Sequence, residues 1–563
     1  LFSAAASQAG ARLAPWRRGG LWGGVAALYV AITLFFWRHA LAEFGSRFVG
    51  DGFDNFQFVW NAWWASQTLP AGRNPYFCDL QFVPFGVPLV FHTLALIPSL
   101  IIAGLTELVS MPLAYNLVAA GLYPLAGLCA FALARHVTRD VAGAIAGGLV
   151  YMICPFMTSK VLGHLNLECA ALLPLYTLCL LGGLQEGPRP WKWRLTAVFA
   201  LILFSNLHTT VFSANVTAWY LIYRGLHSKQ WRSELQRFWH LLKPSAVIAA
   251  AWGAVLLYYT VRYQLHPKPF RDLVWCPEPL NFLLPLHPNS LWRTWVMLPG
   301  DVGWQLTNLE LSVYLGWLVL PMAVAGFWCL RERPMGKFLA IVFICALALA
   351  PGHKLQWHRQ VVRPAGVTAY LPMGLYRYVP VLGAVGQSGR YLVIGYMAMA
   401  VGVAGLISGI RRRWGSTAAI AGAVLAAGLT CVDYAYHPVM VDVPECAIPP
   451  GPGRVMDPRL GNARSLYFQT RHQRELVGGY IARIPEKLRR RYAEMPGLGW
   501  FFQPPDRRGA PPSAEAIGSA LARLGIRYVC VDRGSADQQL LEACGLRPVF
   551  EDESGVTLIR SPP

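Results

Sequence analysis

Long apolar runs of helical length, separated by short polar breaks, dominate the chain as far as residue 436. Runs of roughly 17 to 25 residues match the thickness of a bilayer core. They lie at 21–37, 89–108, 113–135, 141–157, 165–184, 195–223, 242–263, 313–330, 338–350, 391–410 and 417–436. The pattern predicts an α-helical polytopic membrane protein with about eleven or twelve crossings. Basic blocks at 189–194, 224–243, 331–337 and 411–413 mark the cytoplasmic side by the positive-inside bias. Arg12, Arg17 and Arg18 precede the first run, which has no small-residue cleavage site after it. It reads as an uncleaved helix with a cytoplasmic N-terminus. The segments 50–55, 264–312 and 352–390, and everything after 436, then fall outside. One conflict stands. Counting forward from an external Asp51 puts Arg135 and Arg139 outside, whereas counting backward from the basic blocks puts them inside. Either 89–108 does not cross fully, or 195–223 is a single crossing rather than a hairpin broken at 205–210; the hairpin is the preferred reading.

After residue 436 the apolar pattern stops. Pro444, Pro449, Pro450 and Pro452 form a linker, and residues 441–563 are expected to form a small extracytoplasmic α/β domain beside a membrane domain of residues 1–440. Helical periodicity runs over 513–524, an apolar strand over 526–532, a second helix near 537–544, and closing strands near 548–550 and 556–559. This region has no glycine-rich phosphate loop and no nucleophile elbow, so packing or acceptor docking is its expected role.

Composition sharpens the class. Of 563 residues, 55% are hydrophobic and only 14% charged, which sets the chain apart from soluble domains. The net charge of +20 sits largely in short blocks between apolar runs, so membrane topology explains it and nucleic-acid binding does not. The 12 cysteines include no CxxC pair, which argues against a zinc or iron–sulfur site. Cys78 and Cys276 fall in loops placed outside, where a disulfide is allowed but not supported by spacing.

Candidate chemistry collects in the loops placed outside. Gly50-Asp51-Gly52-Phe53-Asp54-Asn55 follows the first run and leads into the aromatic stretch 56–64. Carboxylates near hydrocarbon are costly unless they pair, bind or do chemistry, and the aromatics suit a helix lying against the headgroups. Gly163-His164 opens a later run, Asn206 and His208 interrupt another, and Lys268, Arg271 and Glu278 lie in the large loop. Glu310 precedes Tyr314-Leu315-Gly316, and 383–389 lead into Arg390 at the start of a late helix. A base, an anion-binding cation and an aromatic rim on one side of a membrane are what transfer from a lipid-linked phosphate donor requires. Each has a plainer reading: Asp51 and Asp54 as helix caps, His164 as a carbonyl-bonded boundary histidine, Arg390 as an interfacial anchor.

These elements together resemble the GT-C superfamily of membrane glycosyltransferases, and more closely a bacterial group within it that uses polyprenyl-phosphate sugars. The resemblance rests on Gly50-Asp51-Gly52, Gly163-His164, residues 310–316 and 383–390, and on Tyr467-Phe468-Gln469-Thr470-Arg471-His472 with Val477-Gly478-Gly479-Tyr480-Ile481-Ala482-Arg483. It implies transfer, by an inverting reaction, of a sugar from a polyprenyl-phosphate-linked donor to an acceptor on the outer face of a bacterial inner (plasma) membrane. Asp51 matches the first-loop aspartate, implying a general base or, in the metal-using members, a ligand for a divalent metal, with Asp54 the second catalytic candidate. His164, Lys268, Arg271, Glu310 and Arg390 form the implied substrate-binding set, with Arg390, or Lys268 and Arg271, supplying charge to the leaving phosphate. The chain departs from the oligosaccharyltransferase pattern: it has no clear second-loop Asp-x-Glu pair, and Trp63-Trp64 is followed by Ala65. Metal use is left open. So is a second function class, a non-catalytic subunit that keeps the fold within a larger membrane assembly. A lipid or solute transporter is less favoured, because the chain shows neither an internal repeat nor paired broken helices.

Overall fold

The computed structural model describes residues 15–228, 230–265, 273–285, 290–292, 309–376, 378, 386–446, 448–553 and 555–560. Among them, six helices are long and apolar enough to cross a membrane: Gly19–Trp37, Met111–Thr138, Val141–Lys160, Leu165–Gln185, Trp231–Tyr263 and Ser388–Asp433. Pro188–Ser205, Leu207–His227, Val319–Cys329 and Pro334–Leu349 complete the bundle.

Polar residues at the helix ends set the connections. Ser110 accepts the Leu113 N–H to open Met111–Thr138, and Asp140 accepts the Gly143 N–H at 2.8 Å to open the next helix. The other oxygen of Asp140 takes Arg411, while Arg333 donates to the carbonyls of Val137 and Thr138 at 2.9 and 3.2 Å. Basic residues thus gather on helix C-terminal carbonyls at one end of the bundle, where the helix dipole favours them. Elsewhere the helices close together through glycine. A Cβ on Gly147 would lie 2.3 Å from the Ala400 carbonyl oxygen, and one on Gly326 only 1.6 Å from that of Gly402, the small-residue contact typical of membrane helices.

The run at 195–223 folds as the preferred hairpin, and the two runs at 391–410 and 417–436 form a second one. Asn206 leaves the helical conformation (φ −159°, ψ 119°) between Pro188–Ser205 and Leu207–His227 and caps the second helix through the His208 N–H at 2.8 Å. Gly415, at φ 85° and ψ −178°, turns the segment Leu392–Asp433 back on itself, a conformation that glycine adopts without steric cost. The rings of Tyr396 and Tyr434 then meet with centroids 6.4 Å apart.

The expected crossing at 89–108 is corrected. Its helix is Leu96–Thr106, 11 residues, or about 16 Å long, half of a bilayer core. Beyond it, Ser110 Oγ donates to Gly45 O at 3.1 Å and Asn116 Nδ2 to Phe44 O and Arg47 O. Met111–Thr138 therefore starts at the end of the bundle that holds Asp51, and Arg135 and Arg139 lie at the opposite end with Arg333 and Arg411. The conflict over their side ends there.

The C-terminal region carries a five-stranded sheet in the order Arg547–Asp552, Gly555–Ile559, Ile526–Val531, Arg454–Asp457, Leu476–Gly478. The first two pairings are antiparallel and the last two parallel. Helices Ala514–Arg523 and Ala536–Ala543 fall where the periodicity placed them. The first loop extends this sheet: Leu476 N donates to Leu80 O, Phe82 N to Gly478 O and Val83 N to Leu476 O, at 2.8 to 3.0 Å. The aromatic helix Asn55–Thr68 is not laid against headgroups, as the sequence suggested. Trp60 and Trp64 are buried at 0% and 1% exposure, in one apolar cluster with Met456, Leu466 and Val477 of the C-terminal region. Arg47–Val49 pairs antiparallel with Met440–Asp442, so the Asp51 loop is held on both sides. Cys78 and Cys276 are both free thiols.

Candidate active site

The Asp51 loop is shaped by close backbone contact. The Asp51 N–H donates to Leu162 O at 2.6 Å, and Asp51 Oδ1 accepts the Phe53 N–H at 2.9 Å. Gly163 faces the loop. A Cβ there would lie 3.0 Å from Asp51 Oδ2 and 3.2 Å from Asp54 Cβ, so a side chain at 163 would crowd both aspartates. The Asp51 carboxylate is exposed on one side and enclosed by protein on the others. That partial desolvation raises its pKa, opposed by the backbone N–H groups of Phe53, Asp54 and Asn55.

One residue beyond Gly163 begins a chain of charges. His164 Nε2 lies 3.8 Å from Asp54 Oδ2 and 3.6 Å from Glu310 Oε1. Glu310 is buried and takes three donors: Arg390 Nε at 2.9 Å, Arg390 Nη2, and Lys160 Nζ at 3.1 Å. Burial alone would raise the Glu310 carboxyl, but Arg390 and Lys160 together outweigh it and hold it well below the usual carboxylate range. Lys160 Nζ also donates to Leu309 O at 2.5 Å. Arg390 Nη1 donates to His208 Nε2 at 3.0 Å, so the His208 proton sits on Nδ1. The Gly-Gln-Ser-Gly approach to Arg390 has a steric reason at its last glycine: a Cβ on Gly389 would lie 2.7 Å from the Glu310 carbonyl oxygen.

Of the residues singled out in the sequence, Asp51, Asp54, His164, Glu310 and Arg390 meet at this end of the bundle. Lys268 and Arg271 lie outside the described residues. Lys160 was missed. It stands just past an apolar run, and an ammonium at that depth is itself a signal. Glu168, which ends the polar stretch opened by Gly163-His164, was given no role: it is fully buried, and both carboxylate oxygens lack a protein partner among the described residues. Asn55, Asn166 Oδ1 and Thr209 Oγ1 are likewise buried without one. The C-terminal region adds two guanidiniums to the rim. Arg464 Nε donates to Gly52 O at 3.4 Å, and Arg483, set over the Phe91 ring, acts electrostatically on His208. Arg483 belongs to a stretch that carries the family resemblance, but its place beside the site, like that of Arg464, had no local signal, because each arrives from a part of the chain hundreds of residues beyond the loops it meets.

Among the described residues no group of three or more His, Cys, Asp or Glu side chains is placed to hold a metal ion. Glu310 is occupied by Arg390 and Lys160, and Asp51 Oδ1 by the Phe53 N–H.

No family model matches the chain, and no curated protein matches it. Solved structures do. The mycobacterial arabinofuranosyltransferase AftD aligns over 94% of this chain and 37% of its own, with a TM-score of 0.52 at 13% identity. A variant of AftD aligns over 94% and 39%, with a TM-score of 0.54 at 13% identity. The chain thus spans well under half of AftD. The apo oligosaccharyltransferase of Archaeoglobus fulgidus aligns over 91% of this chain and 69% of its own, with a TM-score of 0.49 at 11% identity. Over 94% of its length the chain shares the fold of AftD, the GT-C fold.

Proposed function

We propose that this protein is an inverting membrane glycosyltransferase which moves a sugar from a polyprenyl-phosphate-linked donor to an acceptor hydroxyl at the Asp51 end of the bundle. The observation that carries the reading is the unbroken series from the Asp51 loop through Gly163 and His164 to Glu310, Arg390 and Lys160. A carboxylate exposed to an incoming acceptor stands beside a buried cluster in which Lys160 and Arg390 face a single carboxylate, Glu310. That surplus of positive charge suits a phosphate ester leaving as an anion.

In the proposed step the acceptor oxygen attacks the anomeric carbon while the bond from that carbon to the phosphate oxygen breaks. The hydroxyl proton passes to Asp51, whose raised pKa moves it toward the range useful in a base. The electron pair leaves with the polyprenyl phosphate, and a single displacement inverts the anomeric centre. The Glu310 pairing orients Arg390 rather than leaving it to meet the phosphate unaided. Arg464 and Arg483 on the rim supply further guanidiniums, whose planar forks match phosphate oxygens. Buried polar atoms without a partner cost about 1–3 kcal/mol each, and their concentration here at Asn55, Asn166, Glu168 and Thr209 favours a site built for a polar ligand. A bacterial plasma membrane, with this end outside, fits the gathering of basic residues at the other end.

Titration of the protein in nanodiscs with undecaprenyl phosphate tests the donor half of this reading. Saturable binding is expected, weakened about tenfold in Arg483→Ala, the scale of one charge-assisted hydrogen bond. Absence of saturable binding would favour the accessory-subunit alternative.

A further inference from the structure

At the end of the bundle opposite Asp51 lies a cavity of about 900 Å³ that the proposed reaction does not use. Its polar wall is basic. Arg135, His136 and Arg139 come from the last turns of Met111–Thr138 and its cap, and Arg194 from the early turns of Pro188–Ser205. Arg135 lies in the last turn of its helix and Arg139 caps that helix, and both line the cavity together with Arg194.

Among the described residues these guanidiniums form no ion pair with a carboxylate. Among the described residues the ion pairs at this end join Asp140 to Arg411, Glu234 to Arg224 and Glu332 to Arg331, and none involves Arg135, Arg139 or Arg194. Glu186, the acid beside the cavity, accepts Trp191 Nε1 at 3.0 Å. Arg194 lies over the Trp191 ring at 5.1 Å. The remaining wall is apolar, with Leu175 and Leu178 below the arginines and Trp22 at the edge, packed edge-on against Phe131 at 5.1 Å. Cations at one level, an apolar wall beneath them and tryptophans at the boundary reproduce the layering of a phospholipid from headgroup to acyl chain.

We propose that this cavity binds an anionic phospholipid of the leaflet at that end, its phosphodiester held by Arg135, Arg139 and Arg194 and its acyl chains lying along Leu175 and Leu178. Guanidinium forks bind phosphate oxygens in pairs, and a zwitterionic lipid would bring its own cation into a wall that already holds three. The site is separate from the donor site, which stands at the other end of the bundle.

The test uses the full chain in detergent, with phosphatidylglycerol and phosphatidylcholine as probes and native mass spectrometry as readout. Phosphatidylglycerol is expected to stay bound through delipidation and phosphatidylcholine to be lost. In the triple variant Arg135→Gln, Arg139→Gln, Arg194→Gln the affinity for phosphatidylglycerol is expected to fall about a hundredfold, at about fivefold per basic residue beside an anionic lipid. The corresponding triple lysine variant is expected to keep most of the binding. Inorganic phosphate at millimolar concentration is expected not to displace the lipid, because it lacks the chains; displacement would assign the cavity to a free phosphate instead. Should the glutamine variant not fold, photoactivatable phosphatidylglycerol on the unaltered protein decides the same question, with crosslinks expected in peptides carrying Arg139 and Arg194. Equal retention of both lipids, or crosslinks spread evenly over the bundle, would overturn the proposal.

Discussion

Arg390 forks onto Glu310, its Nε donating to Oε2 at 2.9 Å and its Nη2 to Oε1, and both residues are more than 90% buried. Lys160 approaches the same carboxylate. Removing the acid therefore does more than delete a hydrogen bond. In Glu310→Gln two buried cations lose their counter-charge, and breaking a buried pair by deleting one partner costs about 3–5 kcal/mol. Unfolding in detergent is expected to show a loss of that order, with Glu310→Asp intermediate. A Glu310→Gln protein as stable as the parent would mean that the network carries no structural load.

The Asp51 side chain is expected to behave in the opposite sense. Its carboxyl is raised in the folded state, so the folded protein holds that proton more tightly than the unfolded chain does. Stability then falls as pH rises from the unfolded pKa to the folded one, and ionised Asp51 is a small liability at neutral pH. Asp51→Asn is expected to leave the melting temperature unchanged or slightly raised while activity is lost. A large drop in melting temperature would make Asp51 a structural cap instead.

Acid is expected to loosen the docking of the C-terminal region. His92 and His472 are buried, and desolvation lowers each to about 3. His92 Nδ1 accepts the Ala482 N–H at 3.3 Å, which leaves Nε2 to donate to Asn61 Oδ1 at 3.0 Å. Both rings must stay neutral in the folded protein, whereas in the unfolded chain they protonate near pH 6.5. Stability is therefore full above pH 6.5 and declines as pH falls toward 3, by about 1.4 kcal/mol per pH unit for each ring. Thermal unfolding between pH 7 and 5 is expected to show this slope, reduced by about half in His92→Asn. A flat profile over that range would contradict it.

Asp433 is a further anchor. Its carboxylate accepts Tyr314 OH at 2.6 Å and the N–H groups of Trp317, Leu318 and Val319 at 3.1, 2.8 and 2.9 Å. It ties the end of the last hairpin to the start of Val319–Cys329. Asp433→Ala strands these four donors, and a loss of about 4 kcal/mol or more is expected in detergent unfolding, since each buried donor left unsatisfied costs about 1–3 kcal/mol. An unaffected midpoint would show that the backbone holds this junction unaided.

The sequence pattern located the apolar helices well, because hydrophobic runs and basic breaks are local signals. The break at 205–210 and the basic block 411–413 between two runs marked both hairpin turns, although Gly415 itself carried no separate signal. Where it failed, the missing information was tertiary. Leu96–Thr106 is as apolar as a crossing helix, and what places it at one end is its length together with the bonds that Ser110 and Asn116, just beyond it, make to Gly45 and Phe44. Trp60 and Trp64 look like interfacial aromatics until the C-terminal sheet covers them. Strands Arg454–Asp457 and Leu476–Gly478 are 4 and 3 residues long, too short for alternation to register; they pair in parallel with each other, and the first also pairs with the distant Ile526–Val531. In the site, Asp51, His164, Glu310 and Arg390 announced themselves as polar residues at the edges of apolar runs. Their mutual pairing did not, because residues 150 and 80 positions apart meet only through the fold.

The most direct measurement of the central claim is turnover of a lipid-linked sugar by the purified protein in nanodiscs. A pool of polyprenyl-phosphate sugars extracted from bacterial membranes would be supplied together with a matching acceptor extract, and free polyprenyl phosphate followed by mass spectrometry. The unaltered protein is expected to consume a donor and release polyprenyl phosphate, while Asp51→Asn, folded and inserted, is slowed by about 10²- to 10⁴-fold, the usual cost of losing a general base. Equal release by the two proteins, or no release by either, would contradict the account.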